Sequence, residues 1–127
     1  VVCEKNAASE GVGSHCTFVR GDANHLPFPD ESFDAVISNY VYHNIVGADR
    51  QALLLESLRV LKKGGVFVLH DEMKPQMYGD MNAFAEKLRA MGFAEAEYVE
   101  TAAPIFGSKR RAGLMMLGDS AMLVGRK

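Results

Sequence analysis

The segment GDANHLPFPDESFDAVI, residues 21–37, joins a polar turn to an apolar strand through a loop that contains two prolines. Its uninterrupted apolar run, Ala35 to Ile37, is typical of a strand that is covered on both faces of a parallel sheet. In the turn, the Asp22 carboxylate can accept a hydrogen bond from an adenine amino group, and the next backbone N–H can donate to a ring nitrogen. The segment therefore predicts an α/β fold with a turn suited to holding a nucleoside.

Outward from this segment, strands and helices alternate, as in an α/β fold. Strands are predicted at 16–20, 33–38, 66–70, 94–99 and 120–126. Helices are predicted over residues 1–10 with Gly11 or Gly13 as the stop, from the N-cap Asp49 to Gly64–Gly65, and from the N-cap Asp80 to Gly92. Leu54, Leu58 and Leu61 share one face of the second helix. Residues 101–119 hold one proline and three glycines, and no element is predicted there.

Composition sets broad limits on function. The 127 residues are 48% hydrophobic and 24% charged with a net charge of −2, which is typical of one soluble domain over residues 1–127. Basic residues are scattered apart from Lys109–Arg111, so no nucleic-acid partner is expected. No apolar run approaches the ~20 residues that cross a bilayer, so no membrane partner is expected. Cys3 and Cys16 are interpreted as reduced thiols of a cytoplasmic protein, with Cys16 packed in a strand.

The order of these motifs resembles the class I S-adenosylmethionine-dependent methyltransferases, particularly those that act on small molecules. The resemblance rests on GDA-x-x-LPF-x-D-x-SFD (from Gly21), on its continuation to SFDAVISN, and on ESLRVLKKGG (56–65). It implies a Rossmann-like sheet with an antiparallel last strand. It aligns the chain with the later two-thirds of such a domain, an N-terminally truncated form without the glycine-rich strand–turn–helix of the family.

The resemblance also implies a site for S-adenosylmethionine. Asp22 and Ala23 would contact the adenine, and Asn39, Tyr40 and Val41 would border the methionine part. Asn24 and Leu26 would also belong to the cofactor-binding residues. The loops 21–32, 39–48 and 70–79 follow strands, where ligands bind in doubly wound sheets. From the residues alone a second interpretation stays open, in which Asp22 only caps its own turn.

The methyl acceptor is predicted to be a small molecule that faces the loop after the second strand. Tyr40, Tyr42 and His43 lie in this loop, and His43 is a candidate general base because imidazole titrates near neutral pH. Tyr40 is a second catalytic candidate. The alternative is that His43 packs over the cofactor or caps the next helix, since methyl transfer from a sulfonium needs little beyond alignment.

His70, Asp71 and Glu72 also suggest chemistry. A histidine and a glutamate two residues apart share one face of a strand, yet no third ligand at a suitable spacing accompanies them, so no metal is predicted. Asp71 and Glu72 are interpreted instead as loop carboxylates near the acceptor pocket.

The absent glycine-rich loop leads to two expectations. Several hydrogen bonds to the cofactor, worth roughly 1–3 kcal/mol each, are missing, so weak binding of S-adenosylmethionine and slow or absent methyl transfer are expected. Strand 33–38 would also expose an apolar edge, so strand 16–20 is expected to move in beside it, or two chains to form a homodimer through exposed or swapped strands.

Two other functions remain open from the sequence. One is a catalytically silent binding or interaction module that retains the sheet. The other is a nicotinamide-dependent oxidoreductase, which the absent glycine fingerprint disfavours. Binding of S-adenosylhomocysteine would separate the methyltransferase from the silent module, and bound NAD would favour the oxidoreductase.

Overall fold

The computed structural model describes residues 2–127 and contains a four-stranded mixed sheet. The strands are β1 Phe33–Asn39, β2 Leu61–Glu72, β3 Glu95–Glu100 and β4 Ser120–Arg126. The helices are α1 Val2–Ser9, α2 Arg50–Arg59, α3 Pro75–Tyr78, α4 Met81–Ala90, α5 Ala102–Phe106 and α6 Lys109–Leu114. Short 3₁₀ turns lie at Gly13–His15 and Tyr42–Asn44.

The strand order is β1-β2-β4-β3. β1 runs parallel to β2, while β4 is inserted between β2 and β3 and is antiparallel to both. This confirms the predicted α/β class and the antiparallel last strand. The register pairs Asn39 with His70 and Glu72 with Ser120, so the carboxyl ends of β1 and β2 meet the start of β4. Polar side chains from three strands therefore converge at one end of the sheet.

The hydrophobic core covers one face of the sheet. Both long helices that build it begin at predicted caps: Asp49 accepts a hydrogen bond from the N–H of Ala52 at 3.1 Å, and Asp80 accepts one from Ala83 at 3.0 Å. The most deeply buried apolar side chains come from α2, α4, β2 and β4: Leu53, Leu54, Leu58, Phe84, Leu88, Phe67, Leu69 and Leu123. Leu54 and Leu58 of the predicted leucine face are thus confirmed on α2, whereas Leu61 is buried as the first residue of β2.

Apolar side chains on the opposite face of the sheet are open to solvent. Ile37 on β1 is 77% exposed, and Val66 on β2 is 41% exposed. In the part of the chain that the structure describes, β1 has a single strand partner, so its outer edge is unpaired.

The predicted strand at 16–20 is wrong, because this segment is irregular. Cys16 is exposed rather than packed, and Phe18 and Val19 are about half exposed. The backbone from Leu26 to Phe33 bonds to α2 and to Val60 just after it, which fixes the chain between 16–20 and β1. Residues 16–20 pair with no strand within residues 2–127, so the expected move beside β1 does not occur.

The predicted end of the second helix is also wrong. α2 ends at Arg59, and β2 already begins at Leu61, because the N–H groups of Ser32 and Phe33 bond to the carbonyl of Val60 at 2.8 and 2.9 Å. Gly64 then sits inside β2 at a φ of 78°, which glycine adopts without strain. β2 also continues to Glu72, so Asp71 and Glu72 belong to a strand and not to a loop.

The remaining elements follow the predictions closely. β3 alternates exposed Glu95 and Glu97 with buried Ala96, as its sequence pattern indicated. The segment without a prediction forms α5 and α6. Between Val2 and Lys127 no helix is long and apolar enough to cross a membrane, and no three potential metal ligands lie together.

Candidate functional site

The turn at Gly21–His25 is held by its own polar groups. One carboxylate oxygen of Asp22, Oδ1, accepts hydrogen bonds from the backbone and the side-chain amide of Asn24, both at 2.9 Å. The backbone N–H of Asn24 is also the main reason that the pKa of Asp22 is lowered. Asp22 therefore does brace its turn, as the second interpretation held.

The same turn also carries polar groups that have no partner in the described part of the chain. Within residues 2–127, neither Oδ2 of Asp22 nor the backbone N–H of Ala23 has a hydrogen-bond partner. The first can accept from an amino group and the second can donate to a ring nitrogen. Ala23 packs against the core, which fixes its backbone. The groups of Asn24 and Leu26 are occupied within the protein, since the Asn24 amide bonds to Asp22 and the Leu26 N–H bonds to Glu56.

Two side chains of α2 hold the loop that follows the turn. Glu56 accepts a hydrogen bond from the N–H of Leu26 at 2.8 Å. Arg59 donates to the carbonyls of Phe28 and Leu26 at 2.9 and 3.1 Å, and to the Asp30 carboxylate at 2.7 Å. Because Arg59 also bonds to Glu56, the pKa of Glu56 is lowered and that of Arg59 is raised. Sequence analysis missed this anchor, although the i,i+3 spacing of the pair on a predicted helix was visible.

Tyr40 turns the chain sharply after β1. Its φ of 53° lies in the left-handed region, which is uncommon for residues other than glycine. Its N–H bonds to the carbonyl of His70 at 2.8 Å, which extends the β1–β2 pairing by one residue. The turn brings the 3₁₀ segment Tyr42–Asn44 back over the end of β2. Such strained positions are frequent at functional sites.

A polar network centred on His70 lies where β1, β2 and β4 converge. His70 Nδ1 is 3.0 Å from Oδ1 of Asn39, and Nε2 is 2.9 Å from the Thr101 hydroxyl and 3.1 Å from the Ser120 hydroxyl. The hydroxyl of Tyr40 bonds to Ser120. Burial lowers the pKa of His70, which favours a neutral ring that donates from Nδ1 and accepts at Nε2. Two predicted cofactor residues are thereby fixed in place.

His43 and Asp71 form the second polar cluster of the site. Asp71 is completely buried, and its Oδ1 lies 2.5 Å from Nδ1 of His43. Its Oδ2 accepts the backbone N–H of His43 at 3.1 Å, and its Oδ1 also accepts the N–H of Glu72 at 2.7 Å. The side chain of His43 is one-third exposed, and its Nε2 has no hydrogen-bond partner within residues 2–127. This nitrogen is therefore available for chemistry.

Buried polar side chains surround Asp71. The hydroxyl of Tyr42 bonds to Ser57 at 2.8 Å, and burial raises the pKa of Tyr42. Burial also raises the pKa of Tyr78, and the negative charge of Asp71 raises it further. Arg50, only 5% exposed, lies close enough to Tyr78 to act on it electrostatically. The Asp71 carboxylate thus sits among donors and near a buried cation.

The structure brings some of the predicted site residues together and leaves others apart. Asn39 and Tyr40, which are predicted to border the methionine part of the cofactor, adjoin the His43–Asp71 pair through His70, whose ring centroid is 4.7 Å from that of Tyr40. Val41, which follows Tyr40 and precedes His43 in the chain, is 48% exposed. The adenine-facing residues form a separate turn, and no hydrogen bond within residues 2–127 joins the two groups.

Asp71, Thr101 and Ser120 are site residues that sequence analysis did not place correctly. Asp71 was assigned to a loop, and its pairing with His43 was not foreseen. The available signal was a histidine–aspartate pair at the end of a strand already predicted to be buried. Thr101 gave no sequence signal, and Ser120 was visible only as the start of the last strand.

The sequence was compared with models of protein families. Residues 1–69, more than half of the chain, match the model described as a methyltransferase domain. The chain belongs to this methyltransferase family. The resemblance to S-adenosylmethionine-dependent methyltransferases is thereby confirmed, and the family implies S-adenosylmethionine as the methyl donor.

Proteins with similar sequences also carry the names of methyltransferases. The chain is 32% identical over 116 residues to the demethylmenaquinone methyltransferase of Bacillus subtilis, covering 83% of this chain and 49% of that protein. It is 34% identical over 83 residues to a sterol 24-C-methyltransferase of Aspergillus fumigatus, covering 65% of this chain and 22% of that protein. The chain thus spans between about a fifth and a half of these relatives.

Among solved structures, the crystal structure of the [4+2]-cyclase SpnF is similar, with a TM-score of 0.61 and 23% identity. The similarity covers 99% of this chain and 62% of that one. At this level of identity the comparison shows a shared fold, and it confirms the Rossmann-like sheet.

Proposed function

We propose that this chain takes part in methyl transfer from S-adenosylmethionine to a small-molecule acceptor. The observation that carries the proposal is the free pair of groups in the turn, Oδ2 of Asp22 and the N–H of Ala23, on a loop anchored by Glu56 and Arg59. When bound, the cofactor supplies an activated methyl group. The residues of the chain hold its adenine and align the acceptor, which accounts for much of the acceleration in such reactions.

Asn39, Tyr40 and Val41 are proposed to border the methionine part of the cofactor. Their support is their place at the carboxyl end of β1, where ligands bind in doubly wound sheets, and the left-handed turn at Tyr40. The hydroxyl of Tyr40 is held by Ser120, so its proposed contribution is positioning.

Titration with S-adenosylhomocysteine tests the proposal. In Asp22→Asn, the side-chain oxygen still satisfies Asn24 while an NH₂ group replaces Oδ2, so two donors would face each other at the adenine. We expect about a threefold to tenfold weaker affinity, the usual effect of one lost hydrogen bond.

Asp34→Asn is the matched control, because Asp34 is an exposed carboxylate on β1 that pairs with Lys62 at 3.0 Å. Equal effects of the two substitutions, or no binding by the wild type, would contradict the proposal and favour the silent module. Binding of NAD in place of S-adenosylhomocysteine would favour the oxidoreductase. The weak cofactor affinity expected from the sequence stays a prediction that the same titration measures.

We also propose that two copies of this 127-residue polypeptide associate through the outer edge of β1. The support is the unpaired edge described above and the 77% exposure of Ile37 beside it. An unpaired edge with apolar side chains readily pairs with another strand.

A further inference from the structure

We propose that His43, oriented by Asp71, is the base that removes a proton from a weakly acidic hydroxyl of the acceptor. The inference rests on the proposed function and names both the base and the acceptor class. It starts from three facts: Asp71 is completely buried, it bonds to His43 twice, and Nε2 of His43 is free.

The two bonds to Asp71 determine which nitrogen of His43 carries the proton. A buried carboxylate 2.5 Å from Nδ1 requires a hydrogen there, so the lone pair of the neutral ring lies on Nε2. The second bond, from the backbone N–H of His43, prevents the carboxylate from turning away. Asp71 is therefore a positioning residue, since it acts on the acceptor only through His43.

Titratable and charged groups on neighbouring elements surround this pair. The titratable or charged side chains that face it are Tyr40, Tyr42, Arg50, His70 and Tyr78. Three of them are tyrosines, and burial lowers the pKa of His70, which favours its neutral form. Arg50 reaches the carbonyl of His43 and is the buried cation of the cluster. Among the groups named here, Asp71 is thus the one carboxylate, and it contacts His43 directly.

The need for a base indicates the acceptor class. A neutral amine already has a nucleophilic lone pair, whereas a phenolic hydroxyl, with a pKa of roughly 10, keeps its proton at neutral pH. A base near the reacting oxygen therefore assists hydroxyl acceptors most. The ring of Tyr40, with its centroid 6.3 Å from that of His43, provides an aromatic neighbour for a flat phenol or enol.

The reaction balances without any further reagent. The acceptor O–H gives its proton to Nε2 of His43, and the oxygen forms a bond to the methyl carbon. The carbon–sulfur bond breaks and leaves its electron pair on sulfur, which becomes a neutral thioether. The proton on the imidazolium then passes to water, which restores His43.

The first test reads the proton position directly. In protein labelled with ¹⁵N-histidine, nitrogen chemical shifts show which ring nitrogen is protonated when the ring is neutral. We expect Nδ1–H for His43 in the wild type, and a shift toward Nε2–H in Asp71→Asn, where the amide can donate to Nδ1. His15, which is exposed, is the internal control and should not change. A neutral His43 that already carries its proton on Nε2 would overturn the inference.

The second test uses two acceptors that differ in acidity, phenol and 4-nitrophenol, with radiolabelled S-adenosylmethionine. At roughly pH 8 phenol keeps its proton and 4-nitrophenol has lost it, so only phenol needs the base. His43→Asn retains a donor to Asp71 but lacks Nε2. We expect it to slow methylation of phenol about 100-fold and that of 4-nitrophenol only a few-fold.

An equal loss with both acceptors would mean that His43 is structural, and would overturn the inference. The same conclusion follows if the wild type methylates aniline but not phenol. Failure of this inference is distinguishable from failure of the proposed function, because the latter is judged by S-adenosylhomocysteine binding. A chain that binds that product but whose neutral His43 carries its proton on Nε2 retains the function and loses the inference.

Discussion

Replacement of Glu56 by alanine should loosen the loop that carries the adenine-facing turn. Glu56 is the acceptor for the Leu26 N–H at 2.8 Å and for two nitrogens of Arg59 at 2.8 and 2.9 Å. The substitution leaves the Leu26 N–H without its partner and frees Arg59 on one side. The attachment of the loop to α2 is therefore weakened both at the Leu26 N–H and at the carbonyls that Arg59 holds.

The magnitude follows from these contacts. A half-buried N–H that loses its charged acceptor costs about 1–3 kcal/mol, and the ion pair to the partly exposed Arg59 adds up to about 1 kcal/mol. The free energy of unfolding should therefore fall by about 2–3 kcal/mol. For a chain of this size that corresponds to a decrease in melting temperature of roughly 6–12 °C.

The effect should depend on pH. The pKa of Glu56 in the folded protein is lowered from its ordinary value of 4.5, mainly by the hydrogen bond from Arg59. Its stabilising contribution is complete above that ordinary value and is lost as the pH falls through the lowered one. The difference between wild type and Glu56→Ala should thus be largest at neutral pH and shrink in acid.

Thermal unfolding followed by circular dichroism, at neutral pH and at several acidic values, measures both quantities. Glu86→Ala is the matched control, because Glu86 lies exposed on α4 and should change stability by less than about 0.5 kcal/mol. Similar melting temperatures for the two variants would refute the anchoring role of Glu56. A difference that persists unchanged in acid would refute the electrostatic part of the reasoning.

Two further predictions concern the sheet. An added methyl group at Gly125 would overlap the Glu95 carbonyl and approach the Phe67 ring to 2.8 Å, so Gly125→Ala should lower stability by about 2–3 kcal/mol in chemical denaturation. Gly113→Ala, in open space on α6, should be neutral or stabilising by up to about 1 kcal/mol, and equal effects would contradict the register of β3 and β4. Ile37→Lys should shift the 127-residue polypeptide from dimer to monomer in sedimentation equilibrium, and a wild type that is monomeric at high concentration would refute the proposed pairing of β1 edges.

The local part of the fold could be predicted because its signals act over a few residues. Asp49 and Asp80 cap their own helices, and the leucines of α2 lie on one face by periodicity alone. The pattern of β3 and the position of β4 have the same origin. The resemblance of the 21–37 segment added the order of the elements and a prediction of the residues that border the cofactor.

Other features depend on partners distant in the chain, and local patterns do not contain them. The apolar residues at 16–20 resemble a strand, yet a strand forms only beside a neighbour, and here the loop is bonded to α2 instead. The end of α2 was misplaced for the same reason, because residues 32 and 33 bond to Val60 from another part of the chain.

By itself the sequence determined the α/β class, the capped helices and the family of the protein, since these follow from spacing along the chain. Only the tertiary structure decided that His43 meets Asp71, 28 residues away, and that Arg59 holds the loop at Leu26 and Phe28. The physical reason is that the chemistry of a side chain depends on its neighbours in space. The buried carboxylate of Asp71 occupies Nδ1 of His43 and leaves Nε2 without a partner in the described residues, and the register of β1 and β2 brings the two residues together.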